Sequence, residues 1–123
     1  MSNRKKTLVA VVDDDAIMLK SLLSLLDAHG YSPQGFVSAE AFLQGDGLTE
    51  AACLVLDINL DGMSGIDLGR QLAASGYALP VIFITASEDV DTEREATASG
   101  CVAYLRKPFS GGMLIDAIEK AMR

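Results

Sequence analysis

The sequence predicts an α/β domain built on a parallel sheet with helices on both faces. Two observations carry that prediction. Short apolar runs alternate with helix-patterned stretches from one end of the chain to the other, the mark of successive βα units. Four of the runs also end in residues that phosphate chemistry can use. Leu8–Val12 ends at Asp13 and Asp14, Cys53–Leu56 at Asp57, Val81–Ile84 at Thr85, and Val102–Leu105 at Arg106 and Lys107. Ligands of open parallel sheets bind at the carboxyl ends of the strands. Convergence of these ends puts three carboxylates, a hydroxyl and an ammonium into one small cleft.

Taken in order, Thr7–Val12 reads as the first strand. A helix follows from about Asp15 to His29, with Met18, Leu22, Leu25 and Leu26 spaced to face a core. Asp14 or Asp15 can cap its first turn and Gly30 supplies a left-handed stop. His29, the single histidine, sits in the last turn, where a cation suits the helix dipole, and reads as structural. Tyr31–Phe36 is a weak strand; Pro33 places it at a sheet edge. Ser38 starts a short helix that Asp46-Gly47 closes. After the third strand, Cys53–Leu56, Ser64 caps a helix running to about Ser75. Pro80 introduces the fourth strand, a helix spans Glu88–Ser99 and stops at Gly100, and the fifth strand is Val102–Leu105. Ser110 opens a last helix reaching Arg123. Five βα units thus fill residues 1–123 as one domain, with no linker and no room for an output domain.

At 123 residues the chain can close a single core. Half of its residues are apolar and 22% are charged, the balance of an ordinary soluble domain. A net charge of −7 argues against direct contact with nucleic acid, and Arg4-Lys5-Lys6 reads as a solvated terminus. No apolar stretch has the length of a membrane span or a signal peptide, which points to the cytoplasm. Cys53 and Cys101 lack Cys-x-x-Cys spacing and read as two reduced, buried thiols.

Adjacent carboxylates at a strand end repel one another, so burying Asp13 and Asp14 near a third acid calls for a cation. Mg²⁺ fits, because it takes hard oxygen ligands from one or two carboxylates and keeps waters for a phosphate; Mn²⁺ is the alternative ion. The Asp13-Asp14-Asp15 triplet could serve only as a helix cap; we assign Asp15 to the cap and the other two to the metal. Asp57 ends a wholly apolar run, so a carboxylate is presented from a rigid strand and can attack phosphorus to form an acyl phosphate. Phosphoryl transfer needs chiefly positioning and charge neutralisation. Lys107 offers the ammonium and Thr85 a hydroxyl for a phosphoryl oxygen.

Read together, Val11-Val12-Asp13-Asp14, Leu54-Val55-Leu56-Asp57, Gly62-Met63-Ser64-Gly65, Ile84-Thr85-Ala86 and Tyr104-Leu105-Arg106-Lys107-Pro108-Phe109 carry a resemblance. The chain resembles the receiver domain of two-component response regulators over essentially its whole length. The resemblance implies a flavodoxin-like strand order, 2-1-3-4-5, one of the common orders of doubly wound sheets. It implies that Asp57 accepts a phosphoryl group from a sensor histidine kinase or histidine phosphotransfer protein. Asp14, Asp57 and the main-chain carbonyl of Asn59 would hold Mg²⁺, with Asp13 acting through water. Thr85 and Lys107 would contact the phosphoryl group, Thr85 moving toward it and Tyr104 swinging inward behind it. The Lys107-Pro108 bond would be cis and help place the ammonium. The switched surface would comprise helix four, strand five and helix five. The acids Glu88, Asp89, Asp91, Glu93 and Glu95, set against Arg94 alone on helix four, and the cations Arg106, Lys120 and Arg123 beyond it would pair across a homodimer or with a basic partner. One departure stands out: Asp61 occupies a position where the family usually has proline, and reads as an Asp61-Gly62 turn facing solvent.

Two other readings compete. Phosphatases of the haloacid dehalogenase type also use a strand-end Asp with Thr, Lys and Mg²⁺, but they resemble Asp-x-Asp, and Asn59 stands where the second acid would move protons. A phosphorylation-independent binding module on the same fold would have lost site residues that this chain keeps. A chain ending where the receiver ends is expected to be either a stand-alone regulator or an excised receiver.

Overall fold

The computed structural model describes residues 7–45 and 50–122. The elements run β1 (Leu8–Val12), α1 (Ala16–Ala28), β2 (Ser32–Phe36), α2 (Ala39–Gln44), β3 (Cys53–Asp57), α3 (Gly65–Ala74), β4 (Val81–Thr85), α4 (Val90–Ala98), β5 (Ala103–Arg106) and α5 (Gly111–Ala121). The strands form one parallel sheet in the order β2-β1-β3-β4-β5. Each edge of an element lies within a residue or two of its expected place. Arg4-Lys5-Lys6, Asp46-Gly47 and Arg123 lie outside the described residues.

Successive strand side chains point to opposite faces, and here both faces are covered. Val9, Val11, Cys53, Val55, Ile82, Ile84 and Leu105 pack against α1 and α5. Ala10, Val12, Leu54, Leu56 and Phe83 pack against α2, α3 and α4. That two-sided burial is why the strands read as unbroken apolar runs rather than alternating ones. Strand β2, with Pro33 in it, lies at the edge as expected.

Helix starts follow local chemistry. Asp15 caps α1, accepting from the N–H groups of Ile17 and Met18 at 3.0 and 3.2 Å. Ser38, Ser64 and Ser110 cap α2, α3 and α5 in the same way. Asp89 caps α4, so that helix begins at Val90, two residues later than Glu88. Gly30 and Gly100 take positive φ after α1 and α4. The Leu25 carbonyl accepts a hydrogen bond from His29 Nδ1 at 3.0 Å, a helix-end role.

Met18, Leu22, Leu25 and Leu26 face the core as expected, Leu22 and Leu26 buried and Met18 and Leu25 partly buried against it, and Leu19 joins them as a third buried residue of α1. One expectation is corrected. Cys53 is buried, but Cys101 is only half-buried because it sits in the turn after α4 rather than inside β5. The acids in and just before α4 lie near cations of the same chain. Arg106 lies 3.7 Å from Glu88 and 3.8 Å from Glu93, Arg94 3.7 Å from Asp91, and Arg70 3.3 Å from Glu95.

Candidate functional site

Among the described residues the buried polar side chains are Asp13, Asp57 and Thr85, and all three stand at the carboxyl edge of the sheet. Their positions follow from the register. Asp13 follows β1 directly, its N–H held by the Phe36 carbonyl of β2 at 3.0 Å. Asp57 is the last residue of the central strand, opposite Ile84. Thr85 ends β4 opposite Arg106, and its carbonyl accepts the N–H of Lys107 at 2.7 Å, which fixes where the lysine leaves the sheet.

The Lys107 ammonium joins the two buried acids. Its Nζ lies 3.1 Å from Asp13 Oδ2 and 3.2 Å from Asp57 Oδ2. The second oxygen of each carboxylate takes a main-chain donor: Asp15 N–H to Asp13 at 2.9 Å, Asn59 N–H to Asp57 at 2.9 Å. Asp14 lies at the exposed rim, yet one oxygen from each of Asp13, Asp14 and Asp57 falls within 4.8 Å of the others. Burial raises the Asp13 carboxyl above the ordinary aspartate range, and the Asp57 charge adds to it against the opposing pull of the Asp15 N–H and Lys107. For Lys107, burial works against the ammonium, but the Asp57 and Asp13 charges and hydrogen bonds outweigh it and hold its pKa above the usual lysine value. Two carboxylates sharing one cation is thus the arrangement the chain adopts by itself.

A divalent cation fits this donor set. Three carboxylates with hard oxygens, one of them open to solvent, match Mg²⁺, which binds through one or two carboxylates and retains waters. Such an acidic triad is typical of the Mg²⁺ site of receivers.

Thr85 is engaged in its own network. Its hydroxyl donates to the Asn59 side-chain oxygen at 2.6 Å and accepts the Ser87 N–H at 3.0 Å. Asn59 therefore ties the loop after β3 to the end of β4 through its side chain, while its N–H serves Asp57. Tyr104, half-buried on β5, packs against the α2–α3–α4 layer. Burial pushes its phenol pKa up, and the charge of Glu93 adds to that. The Lys107-Pro108 bond is cis.

The structure therefore brings Asp13, Asp14, Asp57, Asn59, Thr85 and Lys107 into one cleft, and places Tyr104 and Pro108 on the strand and loop beside it. Sequence reasoning missed two contributors. Asp61 donates its N–H to Asp14 Oδ2 at 3.1 Å; a side-chain reading of the acids had no way to find a main-chain donor. Gly65 lets α3 pack onto the end of β3, since a Cβ there would lie 2.3 Å from the Asp57 carbonyl oxygen. Its place in Gly62-Met63-Ser64-Gly65 was a legible signal.

Comparison with known proteins agrees with this geometry. The family model described as "Response regulator receiver domain" matches residues 9–119. The response regulator protein TmoT of Ectopseudomonas mendocina is 36% identical over 121 residues, covering 98% of this chain and 55% of that protein. Nodulation protein W of Bradyrhizobium diazoefficiens is 39% identical over 116 residues, covering 94% of this chain and 51% of that protein. The chain spans about half the length of the curated relatives it matches. Among solved structures, FixJ-N superimposes with a TM-score of 0.86 at 35% identity, over 97% of this chain and 95% of that one. With its 2-1-3-4-5 sheet and its pocket of Asp13, Asp14, Asp57 and Lys107, the chain belongs to the response regulator receiver domain family, phospho-acceptor domains rather than catalytic enzymes.

Proposed function

We propose that residues 1–123 form a receiver whose Asp57 accepts a phosphoryl group from a sensor histidine kinase or a histidine phosphotransfer protein. The observation that supports this most directly is the Lys107 ammonium held 3.2 Å from Asp57 Oδ2 and 3.1 Å from Asp13 Oδ2. An Asp57 oxygen attacks phosphorus, the bond to the donor's imidazole nitrogen breaks, and an acyl phosphate forms. Lys107 supplies a fixed positive charge for the transferred oxygens, and the Asn59 N–H steadies the carboxylate. Asp14, Asp57 and the Asn59 carbonyl would hold Mg²⁺, with Asp13 reaching it through water. Bound there, Mg²⁺ would neutralise charge that builds on the phosphoryl oxygens. Asn59 has no side-chain base and its amide oxygen is taken by Thr85, so the chain has no second acid there for rapid hydrolysis.

In this reading the phosphoryl group draws the Thr85 hydroxyl from Asn59, Tyr104 moves inward behind it, and the Pro108 bond keeps Lys107 aimed at the cleft. The population shift is read on α4, β5 and α5. Exposed Val90 on α4 supports a homodimer through that face; Arg106, already paired with Glu88 and Glu93, must trade partners to join it. No helix among the described residues is long and apolar enough to cross a membrane, and we place the domain in the cytoplasm with its kinase. Incubation with acetyl phosphate and Mg²⁺, read by intact mass, tests the reading. One phosphoryl group is expected on the native chain and none on Asp57→Asn; an unmodified native chain would refute it. Sedimentation before and after phosphorylation tests the dimer.

A further inference from the structure

Asp14 stands apart from its two partner acids. Asp13 and Asp57 are buried and tied by Lys107, whereas Asp14 is exposed. An exposed carboxylate is free to rotate away from its like-charged neighbours, and their repulsion favours that. Among the described residues, the donor that meets it is the main-chain N–H of Asp61, at 3.1 Å from Oδ2 and 47 positions away in sequence. The loop carrying this donor is well fixed. Leu60 is buried, the Ile58 carbonyl accepts both the Leu60 N–H at 3.1 Å and the Gly65 N–H at 3.0 Å, and Gly65 packs directly on the Asp57 backbone. Beyond it, Gly62 turns the chain at φ +80 with its Cβ position 3.4 Å from Glu40 Oε2. A main-chain donor on a loop anchored at Leu60 and Gly65 therefore faces an acid at the exposed rim.

We propose that the Asp61 main-chain N–H is a positioning group that holds the Asp14 carboxylate toward Asp13 and Asp57, so that the divalent site is formed before the cation arrives. This deepens the metal reading above and rests on it. The role belongs to the backbone, and the Asp61 carboxylate is incidental to it. Partners that orient a metal-binding side chain typically change affinity by about 10–100-fold when removed, and one main-chain bond at an exposed rim falls at the lower end.

Proline and alanine at position 61 separate the two. Both lose the carboxylate, but only proline loses the N–H. Mg²⁺ dissociation constants are measured by calorimetry on Asp61→Pro and Asp61→Ala in the full chain. The proline variant is expected to bind about tenfold more weakly than the alanine variant. In an Asp14→Ala background the two are expected to bind alike, because the bond has lost its acceptor. Without metal, the residue-61 amide proton of Asp61→Ala is expected to move upfield in the ¹⁵N spectrum when Asp14→Ala is added, which needs no proline variant to fold. Equal affinities, a proline effect that survives Asp14→Ala, or an unmoved amide each overturn the inference. A native chain that binds no Mg²⁺ while the amide still moves overturns the metal reading and leaves the hydrogen bond standing.

Discussion

Replacing Lys107 with methionine keeps most of the side chain's volume and removes only the charge between two buried acids. At 3.1 and 3.2 Å each contact has a gross Coulomb attraction of about 5 kcal/mol at an effective dielectric near 20. Burial of the ammonium and of the acids takes back most of it. Breaking a buried ion pair by deleting one partner costs about 3–5 kcal/mol. The lysine side chain retains 19% exposure against 0% and 5% for its partners, so water reaches the gap and the expected loss is about 2–3 kcal/mol. For a chain of this size that lowers Tm by roughly 8–12 °C. Urea unfolding at pH 7 in EDTA measures it. Adding Asp13→Asn to Lys107→Met is expected to restore more than half of the loss, because the remaining Asp57 then has no like-charged neighbour to face. A loss under about 0.5 kcal/mol, or additive single effects, would mean that Lys107 does not hold the acids together in solution.

Further predictions follow from the same contacts. Asn59→Ala removes the acceptor of the Thr85 hydroxyl; amide shifts of residues 85–90 in the unphosphorylated variant are expected to move part-way toward their beryllofluoride-bound positions, and an unchanged spectrum would deny Asn59 a part in holding the resting state. Gly65→Ala forces a Cβ to within 2.3 Å of the Asp57 carbonyl oxygen, so the helix must back away; thermal melting is expected to show a loss of about 1–3 kcal/mol, with slower labelling by acetyl phosphate. Burial pushes the Cys53 thiol up to about 12. The unfolded chain ionises this thiol near pH 8.5 and the folded chain does not, so stability is full below that pH and declines by about 1.4 kcal/mol per unit above it, until the folded thiol ionises. Denaturation of native and Cys53→Ala proteins at pH 8 and 10 reads the difference, and at pH 8 maleimide should label Cys101 well before Cys53.

The strand ends were legible because two-sided burial leaves no alternation, so an acid or hydroxyl closing such a run stands out; Asp13, Asp57 and Thr85 were found in that way. Ser38, Ser64 and Ser110 announced their helices because a hydroxyl cap is a local device. What depended on side-chain direction around a helix was less clear. Leu19 and Met18 are both apolar neighbours, and only the packing angle of α1 on the sheet decides which is buried. The opposite charges of Arg106, Glu88 and Glu93 were legible, but their pairing within one chain was not, because β5 and α4 are brought together by tertiary contact alone. Main-chain donors escaped for a deeper reason: every residue but proline carries one, so the sequence gives no mark at Asp61 or Asp15 of which N–H will meet a carboxylate.

The sheet divides the interior into two compartments with separate memberships, α1 and α5 behind one face, α2, α3 and α4 behind the other. On β5 the division passes between neighbours: Leu105 and Ala103 belong to the first compartment and Tyr104 to the second. A displacement of Tyr104 is therefore felt first by α4, and reaches α5 only through the strand they share. Mutational drift can repack one compartment while the other, and the acids at its rim, keep their places. Such a chain can change what reads its surface without rebuilding what receives the signal.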